Sequence, residues 1–306
     1  MDRPLVSRPR TSGPRALLPA VPLALSLLVG CGRHGVVAKA PLAPSLAPAA
    51  SIAPSGGAQL FVEPKAAVDA LVAACNSRNE NAVVAVFGEQ ARPLVSTGNH
   101  ERDHERCNRL TRSAKEMVRI DPDAPGRAHV VVGHDDWKLP IPLVQTTGGW
   151  QFDGVAGAKE IAARRIGANE LETIRVLRAV PTAQREFEES HGAPARRFAS
   201  RPGRRDGLSW PTRRGQPSSP FAPAFGKALQ GGGWAGYAYT MLPDAGAHGG
   251  FGAVARPIAH GETGIMTFVI DGRGQVWEKD LGASSAEAAA SISSIPPDET
   301  WKPVPR

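Results

Sequence analysis

The chain has 306 residues, with 36 basic and 29 acidic side chains and a formal charge of +7. Its apolar content of 42 % is enough to build a core, and 33 glycines with 28 prolines indicate many turns and at least one linker. Much of the positive charge sits at the start. Removing residues 1–30 takes away four arginines and one aspartate, which lowers the charge from +7 to +4 and argues against a nucleic-acid partner.

Arg3, Arg8, Arg10 and Arg15 precede a 15-residue apolar stretch, Ala16–Gly30. That is a signal-peptide length, short of the roughly 20 residues a membrane-spanning helix needs. The stretch closes as Leu28-Val29-Gly30-Cys31, which resembles the lipobox of bacterial lipoproteins. The resemblance implies that residues 1–30 are cleaved as a signal peptide and that Cys31 carries the lipid. The protein is then held at a membrane of the cell envelope without crossing it, on the periplasmic face if there is an outer membrane and on the extracellular face otherwise. Residues 31–58, rich in alanine, proline and serine, read as a tether, spanning roughly 30 Å as a coil and about 80 Å if extended.

Order is expected from Phe61. Pro64 suits a first helical position, and Val68, Leu71, Val72 and Cys75 follow helical spacing. A second helix carries Val83, Val86 and Phe87 and stops at Gly88. A third, over Asn99–Arg119, puts Cys107, Leu110, Ala114, Met117 and Val118 on one face. Strands follow at 128–133, 137–145 and 150–153, the middle one made irregular by Pro140 and Pro142, with a hairpin at Thr146–Gly149. Residues 59–156 thus predict an α+β domain with a curved antiparallel sheet, an element order similar to the nuclear-transport-factor-like fold. Residues 157–306 predict a long helix with Ala168, Leu171, Ile174, Leu177, Val180 and Phe187 on its apolar face, kinked or broken at Pro181. A loop over 191–235 leads to four strands, with a hairpin at Asp271–Gly274 and a short helix near Ala286–Ile292. This helix-on-meander order resembles the globular part of type IV pilins and pseudopilins, without the apolar assembly helix that directly precedes it there.

"HDDWKLPIPLV" (134–144), "GGWQFD" (148–153), "RRIGANELETI" (164–174), "AQREF" (183–187), "RDGLSWP" (205–211) and "GIMTFVIDGRGQVWEKDLG" (264–282) occur in that order. Together they resemble the exported bacterial proteins grouped as domain of unknown function 2950. The resemblance implies an exported, often lipid-anchored, two-part α+β protein and no established activity.

Cys75 and Cys107 lie on apolar helical faces. They fit a disulfide in an oxidising compartment or two buried thiols, and spacing leaves both open. His100, His104 and Cys107 share one helical side but lack a fourth ligand, so a solvated helix start is the simpler reading and no metal is implied. A ligand groove between the halves is expected from Asp135, Asp136, Trp137, Arg165, Asn169, Glu170, Asp206 and Trp210; turn and inter-domain structural roles compete for most of them. Seven arginines against one aspartate between Arg196 and Arg214 suit an anionic lipid or an acidic envelope protein, with a solvated loop as the competing reading. Motifs for nucleotide, cofactor or nucleophilic chemistry are absent, so no cofactor and no catalytic residue are assigned. The reading is a non-enzymatic binding or envelope-associated module. Its rivals are an enzyme acting on cell-wall material through Asp135, Asp136 and Asp206, and a pilin-like secretion component.

Overall fold

The computed structural model describes residues 57–211, 218–243, 245 and 250–306. The expected signal peptide, Cys31 and most of the tether lie outside the described residues, as do Arg213 and Arg214. The described residues belong to one compact unit, which contains two sheets with separate cores joined by one long helix.

The first half opens with α1 (Pro64–Asn76), α2 (Glu80–Phe87), α3 (Arg92–Val95) and α4 (His100–Glu116). Pro64 starts α1, where its missing N–H costs nothing. Asn79 and Asn99 cap α2 and α4 by accepting backbone N–H bonds from Asn81 and Arg102 at 3.0 Å each. Gly88 ends α2 at φ +88°, where a Cβ would stand 2.9 Å from the Ala58 nitrogen. The strands are β1 (Val118–Ala124), β2 (Arg127–Val132), β3 (Trp137–Lys138), β4 (Leu143–Thr146) and β5 (Gly149–Phe152). They run antiparallel in the order β1-β2-β4-β5, with β3 also on β2. Val68, Leu71, Phe87, Val130, Leu143 and Phe152 form the core between helices and sheet.

Helix α4 is shorter than the periodicity over 99–119 suggests. Met117 is extended and Val118 pairs with Val132 in β1. Strand pairing overrides the helical spacing there, and Pro122 is tolerated because β1 is an edge strand. Pro140 and Pro142 divide the expected 137–145 strand into β3 and β4.

Helix α5 (Gly154–His191) begins in the first half. Asp153 caps it by accepting the Ala156 N–H at 3.0 Å. Its first turn lies so close to Ile141 that a Cβ on Gly157 would come within 2.6 Å of that side chain. Farther on, Val176, Leu177, Val180 and Phe187 enter the second core with Tyr237, Met241, Phe268 and Ile270. The helix runs through Pro181 without a break. An interior proline costs about 3 kcal/mol, but this ring is buried on the second core, under the turn at Gly274. Leu171, expected on the apolar face, is 65 % exposed, because the buried stripe is set by Thr173, Val176, Leu177 and Val180.

The 191–235 segment is not loop throughout: it holds α6 (Pro223–Gln230). The second sheet comprises β6 (Tyr237–Pro243), β7 (Phe251–Pro257), β8 (Met266–Asp271), β9 (Val276–Asp280) and β10 (Lys302–Pro303), in the order β10-β9-β8-β7-β6. Alternation sends Phe268 and Ile270 toward α5, while Val269 meets Trp301 and Ala289 of α7 (Ser285–Ala290) on the other face. Among the described residues no helix is long and apolar enough to cross a membrane.

Candidate functional site

Helices α1, α2 and α4 do not close completely against β3 and the first turns of α5. They leave a cavity of about 530 Å³, lined on the inside by Leu71, Phe87, Leu110, Leu139, Ile141 and Ile161. That volume is in the range of small-molecule pockets. A second cavity of about 210 Å³ shares Cys75, Val83, Val95, Asp103 and Cys107 with it. Cys75 and Cys107 are joined by a disulfide, with Cα atoms 5.1 Å apart. This bond ties α1 to α4 and forms a wall common to both cavities.

The rim is polar. Arg106 and Arg109 sit at i and i+3 on α4, and Asp103, Asp135 and Trp137 line the same cavity. Asp103 accepts the Thr97 N–H at 2.7 Å and its hydroxyl at 2.8 Å, and lies 3.9 Å from Arg106 Nη1. Its charge is therefore engaged locally. Arg109 and Asp135 have no hydrogen-bond or ion-pair partner among the described residues and are exposed. Trp137 is 42 % exposed. Gly133 brings the β2–β3 turn down on α4: at φ +78°, a Cβ there would lie 2.7 Å from Asp135 Oδ1 and 3.2 Å from Ser113 Cβ. Glycine suits both the φ and this approach, which brings the turn carrying Asp135 against α4.

The structure therefore gathers Asp135, Trp137, Cys75 and Cys107 at one cavity. Asp136, next in sequence, turns away, and its carboxylate accepts Arg119 Nη1 at 2.8 Å. Arg119 also bonds Asp121 at 2.7 Å, a contact that holds the Asp121 carboxyl below its usual range.

Arg165, Asn169 and Glu170 form a clasp. Arg165 donates to the Glu262 carbonyl at 3.1 Å and Asn169 to that of Thr263 at 2.9 Å. Glu170 Oε1 accepts the N–H groups of Ile265 and Met266 at 2.8 and 3.0 Å. All three side chains are spent on the chain entering β8. Asp206 and Trp210 lie elsewhere again. Burial works against the Asp206 carboxylate, but bonds from the Arg201 backbone at 2.9 Å and guanidinium at 2.5 Å prevail and hold it below the ordinary range. Trp210 is buried with its ring 6.4 Å from Phe187 and 6.0 Å from His191. Phe187 follows Arg165 by 22 helical residues, or about 33 Å along the axis. The residues expected in a single groove divide into three sets with different partners; the first two are neighbours, since Arg164 donates to the Lys138 carbonyl at 2.7 Å, and Trp210 lies at the far end of α5.

Cys107 is oxidised, so the His100, His104 and Cys107 trio presents no thiolate. Sequence reasoning missed Arg106 and Arg109, and with them the apolar lining at Phe87, Leu110, Leu139 and Ile141. The one signal was the pair of arginines flanking the Cys107–Leu110 stripe, which looks like an ordinary solvated helix edge.

The model of a family described as a protein of unknown function (DUF2950) matches residues 58–304. The chain belongs to that family, as its ordered motifs indicate. No curated protein matches it, and no solved structure does. The likeness of the second half to pilins thus stands on element order alone.

Proposed function

We propose that this member of a family without an assigned activity is an exported, lipid-anchored protein of the cell envelope that binds an apolar small molecule in the cavity of its first half. The observation that carries the binding reading is the cavity of about 530 Å³, apolar inside and ringed by Arg106, Arg109, Asp135 and Trp137. Its wall contains a disulfide, a bond at home in an oxidising compartment, which supports export. The Leu28–Cys31 stretch supports acylation at Cys31. The residues after it would hold the globular part near a membrane but clear of it.

The binding reading is favoured over hydrolysis of cell-wall material by the placement of the carboxylates. Asp135 lines the cavity, Asp136 is paired with Arg119, and Asp206 is held by Arg201 on the segment that packs against the far end of α5. General acid–base work needs such groups converging on one substrate.

Two measurements test the reading. Cells expressing the full chain are labelled with radioactive palmitate and fractionated, with Cys31→Ala in parallel. Label and membrane association in the wild type, both lost in the variant, are expected; equal labelling overturns the anchor. Separately, Nile red fluorescence is titrated against the wild type and Leu110→Trp, which fills the cavity, after circular dichroism has shown both to be folded. Binding lost in the variant is expected, and equal binding overturns the cavity as the site.

A further inference from the structure

The rim of the large cavity carries both signs of charge and one aromatic ring. Arg109 on α4 and Asp135 on the β2–β3 turn line the same opening and neither has a partner among the described residues. Asp103 and Arg106 lie 3.9 Å apart beside them, with Asp103 further occupied by Thr97. Trp137, two residues after Asp135, shares the opening and leaves 42 % of its surface in water. Below this rim the lining is Leu71, Phe87, Leu110, Leu139 and Ile141.

Each part selects one piece of a ligand. An unpaired guanidinium suits a phosphate or carboxylate, which it meets with charge-assisted hydrogen bonds. A carboxylate next to an exposed indole suits a substituted ammonium, attracted by the charge on one side and the ring face on the other. The lining takes an apolar chain. A purely anionic amphiphile would leave Asp135 unanswered and bring like charges together. A purely cationic one would do the same to Arg109. A neutral one would gain only from the apolar lining and leave both rim charges to water.

We infer that the cavity takes a single-chain amphiphile with a zwitterionic phosphate–ammonium head, of the lysophospholipid type, with the phosphate on Arg109 and Arg106 and the ammonium on Asp135 and Trp137. The inference rests on the proposed binding function and adds the ligand's chemical class. No covalent step is involved.

The test is calorimetric titration of the full chain, purified without detergent, with decylphosphocholine, decanoate, decyltrimethylammonium and decanol below their micellar concentrations. Decylphosphocholine is expected to bind at least tenfold more tightly than decanol. Arg109→Ala is expected to weaken decylphosphocholine and decanoate about tenfold and leave decyltrimethylammonium unchanged or stronger. Asp135→Asn and Trp137→Ala are expected to weaken decylphosphocholine and decyltrimethylammonium about threefold to tenfold and to spare decanoate. All three positions are exposed, and circular dichroism confirms folding of each variant. The head-group assignment is overturned if decylphosphocholine binds no better than decanol, or if the variants fail to divide by charge. In those cases decanol binding still upholds the cavity as an apolar site. If decanol does not bind either, the cavity reading falls together with this one.

Discussion

Gln184 and Ala195 hold each other through two hydrogen bonds: Gln184 Nε2 donates to the Ala195 carbonyl at 2.9 Å, and the Ala195 N–H donates to Gln184 Oε1 at 2.8 Å. Both groups are buried. A side-chain amide here does the work of a neighbouring strand and fastens the chain that returns after α5. Gln184→Leu strands both backbone groups of Ala195 away from water. The expected loss is about 2–4 kcal/mol, read as a lower urea midpoint with an unchanged slope.

Glu170 gives a test of role as well as of stability. Alanine at this position leaves the N–H groups of Ile265 and Met266 without their acceptor and is expected to cost about 1–3 kcal/mol. Glutamine retains an oxygen at the same place and is expected to cost less than half as much. Neither change should alter ligand affinity at the α4 cavity. A selective loss of affinity with stability intact would return Glu170 to the binding machinery.

The Cys75–Cys107 bond spans 32 positions of sequence. On the loop-entropy account such a closure contributes roughly 3–4 kcal/mol. Dithiothreitol and the Cys75→Ser, Cys107→Ser double variant should lower the thermal midpoint by the same amount, and the reductant should have no further effect on the variant. Because the bond is a cavity wall, both treatments are also expected to weaken Nile red binding.

The chain contains two tyrosines, and burial pushes the phenols of Tyr237 and Tyr239 far above their ordinary value. The Glu170 charge adds to the effect at Tyr237. In the unfolded chain each titrates near pH 10. The folded form therefore retains protons that the unfolded form releases, so the contribution is complete below about pH 10 and declines as pH rises above it, by up to about 1.4 kcal/mol per tyrosine per pH unit. In an alkaline titration the phenolate absorbance should stay flat until the protein unfolds and then appear in one step. A smooth rise centred near pH 10 in still-folded protein would contradict the buried phenols.

Local chemistry made much of the framework legible. Pro64 and Gly88 mark real helix ends, and Asp271 accepts the Arg273 and Gln275 N–H groups at 3.0 and 2.9 Å in the expected β8–β9 turn. Where sequence reading failed, a distant partner decided the outcome. Val118 left the helix because Val132 was there to pair with it. Pro181 stayed in α5 because the second core covers it, and Leu171 faces water because the buried stripe runs past it. The cavity was illegible for the same reason. Leu71, Leu110 and Ile141 line one space, yet each belongs to a separate local pattern that reads simply as core. Asp135 and Trp137 were visible as polar and aromatic residues near a turn, but their counterpart Arg109 acquires meaning only once Gly133 has brought that turn against α4.

Helix α5 is rooted beside Ala91 and Ile141 at one end and carries Val180 and Phe187 into the other core. No cut through the chain can separate the halves without removing a structural wall from one of them. Calorimetry should accordingly record one heat-absorption peak, not two, and a fragment ending near residue 156 should expose the first half's flank and associate with itself. The same rod gives the molecule a mechanical property: a pull between β5 and the second sheet would be carried along one continuous helix and not through a hinge.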